Sequence, residues 1–540
     1  MLSPSGIQIS ASPQNSAVRT VEIQGAPVLS GRIVDDDHEE LARLETVEEY
    51  CRFARKLRGL YSITVREANR TTVITDHAGG YPVYFISDAT GGFHVSSTIS
   101  ALRKFSSGRI SLTAMYFYAA KKGVGDQPLY ADVRTVPRGH VVRFSGGSFS
   151  ETAWLDWESL LVEERPFSPR QARDRFIEIA SEYLSPFVKS GEGIACLLSS
   201  GTDSAVCAYV LKGLFPGVEC MTADYRLRRY SECAQAVVHA EKIGVRHRRV
   251  LVTLRDHRRA LLAMNSRNAN LPGKHAQLTS LRTLAERARD EGIRYVVGAE
   301  FAGGLFLDYG NYFDSWKTTE DYLRHVNQLS EQRKLETLVG GRTLDESGEE
   351  LLNAMGCSPQ ECRLWMQRVL ACDREGFRRF LPHHRFTLVH QLRSQVWEGV
   401  RFQNGWLPAQ QNLGMQFIDP FIDIEMIRFA FSLPFRFKWD NGKMKALLRD
   451  VLEEGTGIRT PKIASPNPTR IWSLFSGVGD WTRVDSRLRN LQRKWTLSNL
   501  AHAGRYYSRL LDYSALGMWL RAHDLGAMEG GAANAAGAAN

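Results

Sequence analysis

Between residues 193 and 300 the chain changes its hydrophobic period repeatedly and always in the same order. This alternation restricts the fold more than any other feature. Four short apolar runs, GIACLLSS (193–200), VECMTADY (218–225), RHRRVLVTL (246–254) and RYVVGAE (294–300), have the length of buried strands. Between them lie segments with helical spacing: DSAVCAYVLKGL (203–214), SECAQAVVHAEKIG (231–244), DHRRALLAMN (256–265) and KHAQLTSLRTLAERARDEG (274–292). Strand and helix repeated in this way imply a parallel sheet with helices on both faces. Ligands of such sheets bind beyond the carboxyl ends of the strands. The stretch SPRQARDRFIEIASEYLSPFVKSG (168–191) precedes the alternation as an amphipathic helix with a Ser-Pro start.

The first 160 residues have another rhythm. LYSITVRE, TTVITD, YPVYFIS, GFHVSS and HVVRFSGG mix β-branched and aromatic residues with glycine or polar punctuation, as strands do. Only LETVEEYCRFARKLRG and SLTAMYFYAAKKG have a helical pattern there. The expected organisation is a strand-rich α+β domain over 1–160 and an α/β parallel-sheet domain over 168–525. The second domain is expected to be mostly helical from about 315, and 526–540 is a low-complexity tail expected to be disordered.

Composition bounds the function. The 540 residues carry a formal net charge of +10, which fits solvated arginines or a surface for an anionic ligand. No aromatic-plus-basic RNA-binding motif is present, so nucleic acid is not expected as a partner. The sequence contains no apolar run long enough to span a membrane and no secretory signal pattern. The eight cysteines form no CxxC pair and most lie in apolar runs, as reduced thiols of a cytoplasmic protein do.

The first strand of the alternation empties into Ser199-Ser200-Gly201-Thr202-Asp203-Ser204. Backbone N–H groups and hydroxyls at a strand end, facing a helix N-terminus, form a cradle for phosphate. Gly201 lets the backbone approach closely. Asp203 is an acid where phosphates would lie, so a bridging divalent cation, Mg²⁺, is implied. The alternative is an ordinary strand-to-helix turn in which Asp203 or a serine caps the helix.

This loop resembles the Ser-Gly-Gly-x-Asp-Ser PP-loop of ATP pyrophosphatases, with Ser200 for the first glycine. The chain as a whole resembles the asparagine synthetase group, which includes β-lactam synthetase, carbapenam synthetase and lasso-peptide cyclase. The segments LRGLYSITV, VITDHAGGYPVYF, FHVSSTISAL, PLYADVRTVPRGHVVRF and ETAW follow the order of a glutamine amidotransferase domain, an Ntn-hydrolase-like sandwich. Glu232 in RRYSECAQAV matches an acidic position after the second strand. IDPFIDIEMIRFAFSLPFRFKWDNGKMKALLRDVL resembles the Pro-Phe-Leu-Asp segment and the Lys-x-x-Leu-Arg helix (Lys445, Arg449), and IRTPKIAS places Lys462 at the late catalytic lysine. The resemblance implies an ATP-dependent ligase that forms an acyl adenylate and then an amide, releasing AMP and pyrophosphate. It assigns the nucleotide to residues 199–204 and Gly298, Mg²⁺ to Asp203, and catalysis to Lys462.

Three departures shape the expected function. Position 2 is Leu2, not the nucleophilic cysteine of a glutaminase, and the only cysteine in the first 160 residues, Cys51, lies in a helical pattern. Glutamine hydrolysis is therefore not expected. The family loop Gly-x-Gly-x-Asp-Glu, whose aspartate shares Mg²⁺ with the PP-loop, corresponds to VVGAEFAGGLFLDYG, where the aspartate position falls on Ala302 or Gly303. Glu300 and Asp308 are the nearest carboxylates, and Glu300 is the expected second ligand. Gln416 stands where β-lactam synthetase has a glutamate that assists amine deprotonation, so another base is required. Arg449 is expected to pair with a carboxylate such as Asp423, and Asn270, Lys274 and His275 to line the substrate pocket. The expected reaction is lactam or macrolactam closure, with lasso-peptide cyclisation first and a precursor peptide and its processing proteins as partners. Asparagine synthesis from free ammonia and a non-catalytic binding protein are the rivals.

Overall fold

The computed structural model describes residues 19–35, 38–119, 128–160, 162–226, 231–272, 276–307, 346–356, 406–410, 412–440, 443–459, 485–501 and 507–525, with 324, 328, 330 and 472 singly. Lys274, His275, Asp308, Lys462 and the tail 526–540 lie outside the described residues.

The N-terminal part is a sandwich of two antiparallel sheets. Its principal elements are β1 (Thr20–Gly25), α1 (Val47–Ala54), β2 (Tyr61–Glu67), β3 (Arg70–Thr75), β4 (Tyr84–Ser87), β5 (Phe93–Ser96), β6 (Arg134–Thr135), β7 (His140–Ser145) and β8 (Ser148–Ala153). The larger sheet has the order β1-β2-β3-β7-β8 and the smaller β5-β4-β6. Period-2 alternation puts Val73, Val142 and Phe144 of the larger sheet against Phe85 of the smaller, with Val83 and Val136 beside them. Phe85 and Phe144 meet with ring centroids 5.1 Å apart, and Phe93 packs edge-on against Phe149 at 5.6 Å. On the opposite face of the larger sheet lies α1, opened by a capping box between Thr46 and Glu49.

The parallel sheet expected from the alternation is present. Helix α2 (Pro169–Lys189) leads into it, started by Ser168, which exchanges hydrogen bonds with Gln171 around Pro169. Then come β9 (Gly193–Leu197), α3 (Thr202–Leu214), β10 (Glu219–Asp224), α4 (Cys233–Ile243), β11 (Arg246–Leu251), α5 (Leu254–Met264), α6 (Ala276–Asp290) and β12 (Ile293–Val297). A fifth strand, β13 (Gln416–Ile418), joins from the segment read as helical. The order β11-β10-β9-β12-β13 is parallel throughout. It reverses direction between β9 and β12, and a cleft opens at the carboxyl ends of strands on either side of such a reversal. The described C-terminal part also has helices over Ala302–Phe306, Glu346–Ala354 and Trp406–Gln410, followed by α7 (Ile424–Ser432), α8 (Ala446–Thr456), α9 (Arg489–Ala501) and α10 (Tyr507–His523).

The two parts share one apolar cluster. It runs from Tyr61 and Ile63 through Tyr183 and Phe187 to Tyr295 and Phe417. A second cluster joins Met115 and Tyr130 to Leu352 and Trp519.

Candidate active site

At the reversal point the chain leaves β9 and turns through residues 199–201 into α3. The turn is held by its own hydroxyls. Ser199 N–H donates to Ser204 Oγ at 3.0 Å, the two serine hydroxyls lie 2.9 Å apart, and Gly201 N–H donates to Ser199 Oγ at 3.0 Å. Gly201 caps α3 with extended backbone and no side-chain bond, so its role is space: a Cβ there would press on Ser199 Oγ at 3.2 Å. Ser200, Thr202 and Ser204 are buried. Ser200 is gripped from outside the turn, because its N–H and its hydroxyl both donate to Glu232 Oε2 at 2.8 Å. Glu232 opens α4 without capping it, its carboxylate turning to the loop instead. The acidic position noted in the sequence is thus part of the loop's frame.

Asp203 sits in the first turn of α3, where the helix dipole favours an anion. Its Oδ2 accepts from Lys445 Nζ at 2.5 Å, with the lysine side chain 9% exposed and the aspartate 21%. Lys445 precedes α8 in the left-handed region, at φ 56° and ψ 42°. Helix α8 lies so close to α3 that a Cβ on Gly455 would come within 2.5 Å of the Tyr209 ring. This contact was not foreseen, although the Lys-x-x-Leu-Arg motif that supplies the lysine was visible.

The second loop, after β12, is organised by Asp419. Its carboxylate accepts from Phe301 N–H at 3.2 Å and Phe421 N–H at 2.9 Å. Burial raises its pKa well above the usual carboxylate range against these hydrogen bonds, and Glu300 adds to the rise. Burial likewise raises the Cys207 thiol, with the charges of Asp419 and Asp203 contributing. Cys207 therefore lies between the two loops, its Sγ 3.6 Å from Gly298 O.

Gly298, expected at the nucleotide, is tightly packed. Its N–H donates to Ile418 O at 2.9 Å, and a Cβ would fall 1.7 Å from Trp406 Cη2. Packing alone requires a glycine there. The two carboxylates expected to hold the metal, Asp203 and Glu300, have unlike surroundings. The position of the family aspartate is Ala302 or Gly303, Glu300 is exposed, Asp419 is engaged by amides, and Asp203 already faces an ammonium. Among the described residues no group of three His, Cys, Asp or Glu side chains could hold a metal ion.

Other expected site residues serve the domain seam. Asp423 is bound not by Arg449 but by Arg58, whose Nε and Nη2 donate to its two oxygens at 3.0 and 2.7 Å. Gln416 Oε1 accepts from Tyr81 Oη at 2.5 Å, and Gln410 donates to the same hydroxyl at 2.8 Å. His77 Nε2 lies 2.7 Å from Ile422 O. Asn270 is held at the seam: it accepts from Ile99 N–H at 2.9 Å and donates to Ser97 O at 2.8 Å. Arg449 lines a cavity of about 520 Å³ with Arg436, Lys443 and Asp450. Cys51 is buried in α1, and burial raises its thiol pKa. Among the described residues no helix is long and apolar enough to cross a membrane.

A glutamine amidotransferase domain model matches residues 37–155. Curated relatives include the putative glutamine-hydrolyzing asparagine synthetases of Mycobacterium bovis and Mycobacterium tuberculosis, each 26% identical over 341 residues. These alignments cover 58% of this chain and 50% of each relative, so the chain spans about half the length of the curated relatives it matches. Solved structures with partial likeness include NMN synthetase from Francisella tularensis (TM-score 0.21, 18% identity, 41% of this chain and 96% of that one). Another is NH3-dependent NAD synthetase from Campylobacter jejuni (TM-score 0.21, 13% identity, 39% and 96%). The asparagine synthase model matches residues 188–525, more than half of the chain, and the protein belongs to the asparagine synthase family.

Proposed function

We propose that this protein is an ATP-dependent amide ligase that works without glutamine. The observation that carries the reading is the Ser199–Ser204 turn, placed where the sheet order reverses and fixed by Glu232 and Lys445. Residues 199–204 hold the pyrophosphate part of ATP. A substrate carboxylate oxygen attacks the α-phosphorus and pyrophosphate leaves, giving an acyl adenylate. An amine then attacks the acyl carbon, loses a proton and displaces AMP. Lys462 is the cation that stabilises charge at the reacting centre, by its place in the resemblance. The buried Cys51, its thiol pKa raised, supports a domain without glutaminase chemistry. Gln416, tied to Tyr81 at the seam, does not serve as the amine's base. A tethered amine, as in lactam or macrolactam closure of a peptide such as a lasso precursor, fits a ligase with no ammonia supply of its own.

ATP–pyrophosphate exchange with a panel of carboxylates and peptides tests this. Exchange with at least one substrate, lost in Asp203→Ala, is expected. No exchange by the native protein, with ATP binding unchanged in Asp203→Ala, would overturn it. A second reading, a binding protein that keeps the fold without chemistry, is favoured by one observation: the N–H groups of 199, 200 and 201 all have acceptors within the protein. ATP binding without exchange for any substrate would select it.

A further inference from the structure

We propose that the Lys445 ammonium is the resident counter-ion of Asp203 and replaces a protein-held divalent cation, so that ATP binds the 199–204 turn without added metal. The proposal rests on the reading of that turn as the ATP site.

Four observations converge. Lys445 Nζ and Asp203 Oδ2 are 2.5 Å apart in largely buried surroundings, where a carboxylate needs a cation beside it. The lysine holds a left-handed backbone, which disfavours any residue with a Cβ, and a position that would suit glycine or asparagine is given to a side chain that reaches the aspartate. The close packing of Gly455 on Tyr209 fixes α8 against α3, so the ammonium is placed by rigid elements and not by a loop. Across the cleft, the loop that would supply a second metal ligand has Ala302 and Gly303, and the buried carboxylate facing it from the end of β13, Asp419, is engaged by Phe301 and Phe421 amides. A divalent cation wants several oxygen ligands. One monovalent ammonium neutralises one carboxylate and leaves the α3 N-terminus to face the phosphates.

Calorimetric titration of the full chain with ATP, once in EDTA and once in excess Mg²⁺, tests this. The native protein is expected to bind ATP with dissociation constants within about threefold of each other in the two buffers. Lys445→Met is expected to lose at least tenfold in EDTA and to recover most of that in Mg²⁺, while Lys445→Arg keeps the metal-independent binding. Asp203→Asn, which releases the ammonium to the phosphates, is expected to bind ATP several-fold more tightly in EDTA. Circular dichroism confirms that each variant is folded, and Asp203→Asn decides the matter if Lys445→Met is not. Native binding more than about threefold weaker in EDTA than in Mg²⁺, or weaker binding by Asp203→Asn in EDTA, overturns the proposal and leaves the ATP site standing. Absence of ATP binding in both buffers overturns the site and the proposal together.

Discussion

Replacing Arg58 by methionine isolates the strongest polar tie between the two parts of the chain. Arg58 makes two hydrogen bonds, at 3.0 and 2.7 Å, to a carboxylate with no exposed surface, and a third to Ile179 O at 3.2 Å. An exposed ion pair would contribute about 0–1 kcal/mol. Removing one partner of a buried pair costs about 3–5 kcal/mol, because the other charge is left without compensation. The cost also has a pH signature. Burial holds the Asp423 pKa above its usual value, while Arg58 pulls it down. Without Arg58 the folded pKa rises further, so the folded state binds the extra proton. Destabilisation is then small below about pH 4, where the unfolded carboxyl is also protonated, and grows as pH rises toward the new folded value. Urea unfolding followed by tryptophan fluorescence and circular dichroism, at pH 4 to 8, measures this, and coincidence of the two probes justifies a two-state treatment. Adding Asp423→Asn removes the stranded charge and should restore about 2–3 kcal/mol. A pH-independent loss of under about 1 kcal/mol would refute the argument.

Glu232→Ala leaves the Ser200 amide and hydroxyl without their acceptor, at a cost of about 1–3 kcal/mol. Exchange of the Ser200 amide proton should accelerate roughly tenfold or more while the hairpin of β7 and β8 is unchanged. Gly298→Ala drives a methyl group into Trp406. It should lower stability by about 2 kcal/mol or more, and trimming Trp406 in the same background should recover part of the loss in thermal melts. Burial lowers the His77 pKa to about 4, with its hydrogen bond to Ile422 opposing and Arg428 and Arg138 assisting. Its folded pKa lies below the unfolded one, so its contribution is present above about pH 6.5 and is lost as pH falls toward 4. His77→Gln, which cannot gain that proton, should flatten this part of the acid-denaturation curve.

The parallel sheet was legible because its strands and helices alternate with clear periods, and each expected segment contains an observed element. Strand β13 was not, because three residues, Gln416 to Ile418, give no period, and their pairing partner lies more than a hundred residues earlier. The turn at 199–204 was readable from residue types alone. What engages it was not: Glu232 and Lys445 come from distant segments, and no spacing rule links them to Asp203 or Ser200. Asp423 was expected to pair with Arg449, Gln416 was read only as unable to act as a base, and Asn270 was placed at the substrate pocket. Each satisfies a buried group across the seam with the N-terminal sandwich. A single sequence shows which side chains are polar and not what faces them.

The apolar cluster running from Ile63 through Phe187 to Phe417 bears on what can change in the chain as well as on packing. The N-terminal layer cannot be removed without opening the neighbouring core to water. Melting should accordingly proceed as one event across the seam. A layer that forms part of another domain's core is thereby a wall of that domain, and its buried residues cannot change without consequence for both.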